Sequence, residues 1–254
     1  MLLKTTALTK HFGGLAAVSQ FDMFINKGEI VGLIGPNGAG KTTIINLISG
    51  FLKSSSGNII FDEEDITSKP AHIMARMGIG RTFQITPMFF EFSTFKNIVA
   101  SHYLAAESCF WGAIFNTSKY RNKEEHIVKL AEETLEFVGL SKARNELAKN
   151  LPHGYQKLLD LARALAIKPK LLLLDEPIGG ISSDEINLVL KAIDKVRSQG
   201  TTILLVEHNM EVVMSICDRI IVANYGQKIA EGTPDEVRRD KDVISAYFGG
   251  EYHA

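Results

Sequence analysis

Gly35-Pro36-Asn37-Gly38-Ala39-Gly40-Lys41-Thr42-Thr43 fits the pattern G-x-x-x-x-G-K-[ST], a phosphate-binding loop. Its setting fits too. The apolar run 29–34 precedes it and the helical pattern 42–49 follows, so the spacing predicts strand, loop and helix. In that arrangement glycines let backbone N–H groups close around phosphate oxygens, and the helix N-terminus adds partial positive charge. Gly35, Asn37, Gly38 and Gly40 form the cradle. Lys41 would reach the β- and γ-phosphates of a nucleotide, and the Thr42 hydroxyl, with Thr43 beside it, would meet Mg²⁺.

A second constellation lies far downstream. Leu171-Leu172-Leu173-Leu174-Asp175-Glu176 reads as a buried strand ending in two carboxylates, and ligands in open α/β sheets sit at the carboxyl ends of strands. There Asp175 can hold Mg²⁺ and Glu176 can orient or deprotonate an attacking water. One strand later, Val206-Glu207-His208 repeats the arrangement, with His208 able to donate to the γ-phosphate. Gln84, in Arg81-Thr82-Phe83-Gln84, suits Mg²⁺ or the attacking water. Taken alone it reads better as a surface glutamine, and it gains weight only from the resemblance below.

Around these motifs strand and helix signals alternate, which predicts an α/β architecture. Strands are expected at 3–9, 21–25, 29–34 and 58–61, with one helix after the loop interrupting them. The middle, about 94–140, reads as mostly helical, with Ile127, Leu130, Ala131, Leu135 and Val138 at helical spacing in 124–138. Beyond it come a strand at 171–174, a helix at 183–198, a strand at 202–206, a short helix at 210–217, and a hairpin of 219–223 and 228–230 about Tyr225-Gly226. Two short helices follow.

The chain has 254 residues and a net charge of −1, which gives no bulk pull toward nucleic acid or anionic lipid. The first residues hold no long apolar stretch, so no leader is expected. No run approaches the roughly 18 apolar residues of a spanning helix. Cys109 and Cys217 have no metal or pair spacing and read as reduced thiols.

These motifs, in this order and across nearly the whole chain, resemble an ATP-binding cassette ATPase. The resemblance rests further on Leu151-Pro152-His153-Gly154-Tyr155-Gln156, which opens a helix expected at 156–167 where that family carries its signature, usually Leu-Ser-Gly-Gly-Gln. It implies a P-loop NTPase core with an antiparallel β subdomain and a helical subdomain. The core would take about 1–84 and 168–254, and the helical part about 85–167. It also implies head-to-tail pairing, in which Pro152, His153, Gly154 and Gln156 of one cassette close over ATP held by the other. Phe12 would stack on adenine, and Ile181-Ser182 would cross the dimer contact. Two departures stand out: Pro152 replaces the usual serine, and Ser182 stands where the family usually has Asp or Asn. With Lys41, Gln84, Glu176 and His208 all in place, the expectation is a Mg-dependent ATPase.

A finer likeness is to the ATPase subunits of branched-chain amino-acid importers. It is carried by Gly78-Ile79-Gly80-Arg81-Thr82-Phe83-Gln84, the Leu-Pro-His-Gly signature, Glu231-Gly232-Thr233-Pro234 and Ala246-Tyr247. Urea and amide importers use near relatives, so the solute stays open. Such subunits sit peripherally on the cytoplasmic face of the inner membrane, with permease subunits, a second ATPase subunit and, indirectly, an extracytoplasmic binding protein as partners. Nucleic acid is not expected. Phe89, Phe90, Phe92 and Phe95, with Phe110, Trp111 and Phe115, are expected for the most part to pack the core of the helical insertion, yet they are more aromatics than a small subdomain needs, and some are expected to line a permease-docking groove. Lys119, Arg121 and Lys123 read as a solvated face, with contact to lipid headgroups as the alternative. Soluble cassette ATPases of DNA repair carry coiled coils or basic domains, neither of which this sequence has. A non-hydrolysing module is favoured only by Pro152 and Ser182.

Overall fold

Three continuous apolar runs become neighbouring parallel strands. In the computed structural model, which describes residues 1–83, 88–105 and 118–248, β3 (Ile30–Ile34), β7 (Leu171–Asp175) and β8 (Thr202–Val206) are buried at every position. That is the pattern of a sheet covered on both faces. They form the centre of a six-stranded sheet in the order β10-β9-β3-β8-β7-β6, where β6 is Ile79–Arg81, β9 is Arg219–Asn224 and β10 is Gln227–Gly232. All its pairings are parallel except β9 with β10, the expected hairpin.

A second sheet, antiparallel, orders its strands β2-β1-β4-β5: β1 Leu3–Phe12, β2 Leu15–Ile25, β4 Ser56–Phe61 and β5 Glu64–Asp65. One hydrophobic core joins the two sheets. Leu3, Phe21 and Phe61 from the antiparallel sheet meet Leu33, Leu173 and Leu204 from the mixed one. The helix after the loop, α1 (Lys41–Ile48), buries Ile44, Ile45, Leu47 and Ile48 in the same core. Sequence periodicity missed α2 (Ala71–Met77), which buries only Met74 and so carries almost no apolar stripe. These elements form a first compact unit, built from Met1–Arg81, Lys170–Glu176 and the chain from Arg197.

A second unit comprises the described residues of Thr82–Pro169 and Pro177–Val196. Three of its helices, α3 (Thr94–Ala105), α4 (Ser118–Phe137) and α5 (His153–Leu165), pack on one another through Ile98, Ile127, Ala131, Leu135 and Leu159, all essentially buried. Helix α6 (Ser183–Ser198) has the expected bounds. Helix α5 starts three residues earlier than the periodicity indicates, because His153 and Gly154 break the apolar pattern but not the helix. Fully buried Asn97 organises the turn before α3: its side chain accepts from the Phe89 N–H at 3.0 Å and donates to the Phe89 and Ser93 carbonyls at 3.0 and 3.1 Å. The remaining helices, α7 (Met210–Ile216), α8 (Pro234–Arg239) and α9 (Lys241–Phe248), belong to the first unit.

Candidate nucleotide site

The loop between β3 and α1 is held from two sides by backbone. A Cβ on Gly35 would lie 2.0 Å from the Ala223 carbonyl oxygen of β9, and one on Gly40 would lie 2.5 Å from that of Ala17 in β2. Gly40 is also left-handed, at φ 94°, as it caps α1. Only glycine fits at either place. Gly38 is different: it is left-handed, at φ 81°, but a Cβ there would meet open space. Lys41 turns into the loop, and its ammonium donates to the Gly35 and Pro36 carbonyls at 2.6 and 2.9 Å. Burial pushes this lysine below its ordinary pKa, against the pull of Glu176 and Asp175. Thr42 is exposed in the first turn of α1, and Thr43 lies beside it, half-buried.

The carboxyl ends of the parallel strands bring the remaining groups alongside. Asp175 is 4% exposed and meets the Arg81 guanidinium at 3.2 Å. Arg81 in turn donates to Asn46 Oδ1 on α1 at 2.6 Å and to Oγ of Ser49, its C-cap, at 2.9 Å. Thus a strand-end arginine ties the metal-site candidate to the helix that follows the phosphate loop. Sequence reading quoted Arg81 but gave it no role. Its signal is a cation ending the strand that pairs with a strand ending in acid. Among the described residues no group of three or more His, Cys, Asp or Glu converges on a metal. One carboxylate and one hydroxyl beside a phosphate cradle is the donor set that suits Mg²⁺, which takes few protein ligands and completes its shell with water and phosphate.

Glu176 leaves β7 with φ 50°, left-handed for a non-glycine residue, while its N–H still donates to the Val206 carbonyl of β8 at 2.9 Å. Such backbone is held only where surroundings over-determine it, often at a working site. His208 Nδ1 lies 3.9 Å from Glu176 Oε1. The intervening residue, Glu207, is buried, accepts from the His208 N–H at 3.1 Å and orients the segment, a part that sequence reading left unassigned. Phe12 ends β1 with 48% of its surface exposed and Lys10 over its ring, a face available for stacking. A cavity of about 510 Å³ is lined by loop residues Pro36, Asn37, Gly38 and Ala39 together with Tyr225 and the α9 residues Asp242 and Ser245. Neither Lys41 nor Asp175 nor Glu176 is among its lining residues.

The signature residues lie in the second unit. Pro152 is the N-cap of α5 and offers no side-chain acceptor. His153 and Gly154 open the helix, and the Gln156 amide folds back to donate to the Leu151 carbonyl at 2.9 Å. Of the aromatics, Phe89, Phe90 and Phe92 are 48%, 48% and 44% exposed, with Phe89 and Phe92 stacked at 5.2 Å. Phe95 is half-buried beneath the Arg144 guanidinium. Gln84, Phe110, Trp111 and Phe115 lie outside the described residues.

Residues 18–179 match the family model for ABC transporters, and residues 227–253 match that for the branched-chain amino acid ATP-binding cassette transporter. The chain is 39% identical over 249 residues to the high-affinity branched-chain amino acid transport ATP-binding protein BraF of Pseudomonas aeruginosa, covering 98% of each. It is 38% identical over 249 residues to LivG of Escherichia coli K12, again with 98% of each covered, and 36% identical to a probable branched-chain amino acid transport ATP-binding protein of Archaeoglobus fulgidus, covering 98% of this chain and 96% of that one. Among solved structures, a nucleotide-free ATP-binding cassette from an ABC transporter superposes with a TM-score of 0.87 at 33% identity, over 98% of this chain and 99% of the other. The ADP conformation of the cassette MJ1267 gives 0.86 at 33% identity, with the same coverage.

Proposed function

The chain belongs to the ABC transporter family, and on that premise we propose that it is the ATP-hydrolysing subunit of an importer for branched-chain or other hydrophobic amino acids. The convergence of Lys41, Asp175, Glu176 and His208 at adjacent strand ends carries the activity. The match over residues 227–253 favours the solute class over urea or amides.

The backbone of Gly38 and its neighbours receives the phosphates, and Lys41 exchanges its two carbonyl partners for β- and γ-phosphate oxygens. Phe12 stacks on adenine. Thr42 and Asp175, joined by Gln84, would hold Mg²⁺, which when bound neutralises charge on the phosphates. Glu176 takes a proton as a water oxygen bonds to the γ-phosphorus and the bond to the β–γ bridging oxygen breaks, leaving ADP and phosphate. His208, beside Glu176, donates to the γ-phosphoryl oxygens. In a dimer, Pro152, His153, Gly154 and Gln156 of one cassette close over the ATP of the other, with Ile181-Ser182 at the contact.

Among the described residues no helix is long and apolar enough to cross a membrane. The subunit therefore reaches the membrane by docking on permease subunits, with exposed Phe89, Phe90 and Phe92 as contacts and a solute-binding protein on the far side. Reconstitution with its permeases tests this. Leucine, isoleucine or valine should stimulate Mg-ATP hydrolysis. Stimulation by urea or amides alone would reassign the solute.

A further inference from the structure

Helix α5 begins without a cap of its own. An N-cap side chain normally accepts from the backbone N–H of the second or third helical residue, and Pro152 has no oxygen with which to do so. The second helical residue is Gly154. Its N–H donates instead to Glu185 Oε1, on α6, at 2.9 Å. The other oxygen of the same carboxylate accepts from the Ser182 N–H and the Ser182 hydroxyl, both at 3.0 Å. Ser182 precedes α6 and Glu185 is three residues on, a spacing that caps a helix by returning a carboxylate to the N-cap N–H. One side chain thus caps two helices. The fit at Gly154 is close: a Cβ there would lie 2.6 Å from Glu185 Cβ. The glycine of this signature is required by Glu185 itself, before any ligand arrives.

We propose that Glu185 is an internal stand-in for phosphate: it holds the Gly154 N–H in the open cassette and must surrender it when the γ-phosphate held by a second cassette arrives. This rests on the reading that Gly154 meets that phosphate. The argument is electrostatic. The N-terminus of α5 favours one anion, and the carboxylate already supplies it. A phosphate and a carboxylate at one N–H repel each other, so closure requires exchange. Because the same carboxylate holds Ser182, the exchange also loosens the Ile181-Ser182 segment, linking the signature to the neighbouring loop through one residue. Glu185 is a positioning residue here: it acts through the Gly154 N–H and the Ser182 segment.

Glu185→Gln separates this role from simple helix capping. Glutamine serves at the third position of a capping box, so its one amide oxygen keeps the Ser182 N–H of α6 while the Gly154 N–H loses its anionic acceptor. In a Glu176→Gln background, sedimentation equilibrium with Mg-ATP should show self-association about tenfold tighter when Glu185→Gln is added, since no carboxylate then competes for the Gly154 N–H. Its melting temperature without nucleotide should be unchanged. Unchanged or weaker association at the same melting temperature overturns the exchange. Should Glu185→Gln lower the melting temperature, Pro152→Ser supplies α5 with its own acceptor. Glu185 still holds the Gly154 N–H in that background, so adding Glu185→Gln to Pro152→Ser should again tighten association by about tenfold, and no tightening there also overturns the proposal. Absence of Mg-ATP-dependent association in Glu176→Gln alone removes the pairing premise, and the exchange with it.

Discussion

Arg81 and Asp175 form a buried ion pair at 3.2 Å, with side chains only 8% and 4% exposed. The guanidinium also reaches Asn46 and Ser49, so the end of β7 and the side of α1 are clamped by one residue. Removing one partner of a buried pair leaves an uncompensated charge, which costs about 3–5 kcal/mol. Arg81→Ala should therefore lower unfolding stability by that order in urea titration, whereas Asp175→Asn, which keeps an acceptor for Arg81, should cost less while abolishing Mg-dependent turnover. A stable Arg81→Ala protein would show the pair to be dispensable to the fold.

Glu176 ends a buried strand beside Asp175 and lies 3.9 Å from His208. Loss of a general base lowers rate by roughly 10²–10⁴-fold. Glu176→Gln should lose turnover on this scale while binding ATP as the parent does, so calorimetry and a phosphate-release assay together check the role. Parent-like hydrolysis in the variant would remove Glu176 as the base.

Lys41 gives two opposite pH trends. Burial holds its pKa below the ordinary 10.5, so the unfolded chain keeps this proton to higher pH than the folded one does. Between the lowered pKa and 10.5, rising pH therefore favours the fold through this group. ATP affinity should fall over the same range, since the ammonium is the phosphates' partner. Lys41→Met should erase both trends and weaken ATP binding. Denaturant titrations and calorimetry across the alkaline range measure them.

The turn carrying Phe89 and Phe92 separates surface from scaffold. Phe89→Ser with Phe90→Ser removes two half-exposed rings and should leave basal ATPase activity and melting temperature near those of the parent, while transport with the permeases falls. Asn97→Ala is the counterpart: it leaves the Phe89 N–H without its acceptor, and each unsatisfied buried group costs about 1–3 kcal/mol. That variant should melt lower. If the phenylalanine variants melt just as low, those rings are core rather than contact surface.

The phosphate loop and the strand-end acids were legible because their spacing and apolar flanks are local signals. The bounds of α6 were legible too, since its amphipathic pattern is a local signal that runs over the whole helix. What sequence could not give were partners distant in the chain. Arg81 and Asp175 lie 94 residues apart, and only the parallel pairing of β6 with β7 brings them together. Gly154 and Glu185 lie 31 residues apart, joined by an N–H that carries no side-chain signature. Helix α2 went unseen because Met74 alone is buried, so no periodicity exists to read.

Pro152→Ser brings these strands of argument to one residue. At an N-cap, serine in place of a residue without an acceptor is worth about 0.5–2 kcal/mol when the helix otherwise lacks a cap. Here Glu185 already takes the Gly154 N–H, so the gain in the isolated chain should be at the low end of that range. The hydroxyl then stays available to the γ-phosphate across the dimer, where a hydrogen bond to a charged group contributes about 1.5–3 kcal/mol. Proline's rigidity opposes this by only about 0.4–1 kcal/mol. Pro152→Ser in a Glu176→Gln background should therefore tighten Mg-ATP-dependent association by roughly tenfold, with little change in melting temperature. Sedimentation equilibrium and a thermal melt measure the two quantities separately. A large rise in melting temperature with unchanged association would mean that the hydroxyl is consumed in capping α5 and that Glu185 does not hold Gly154 in solution.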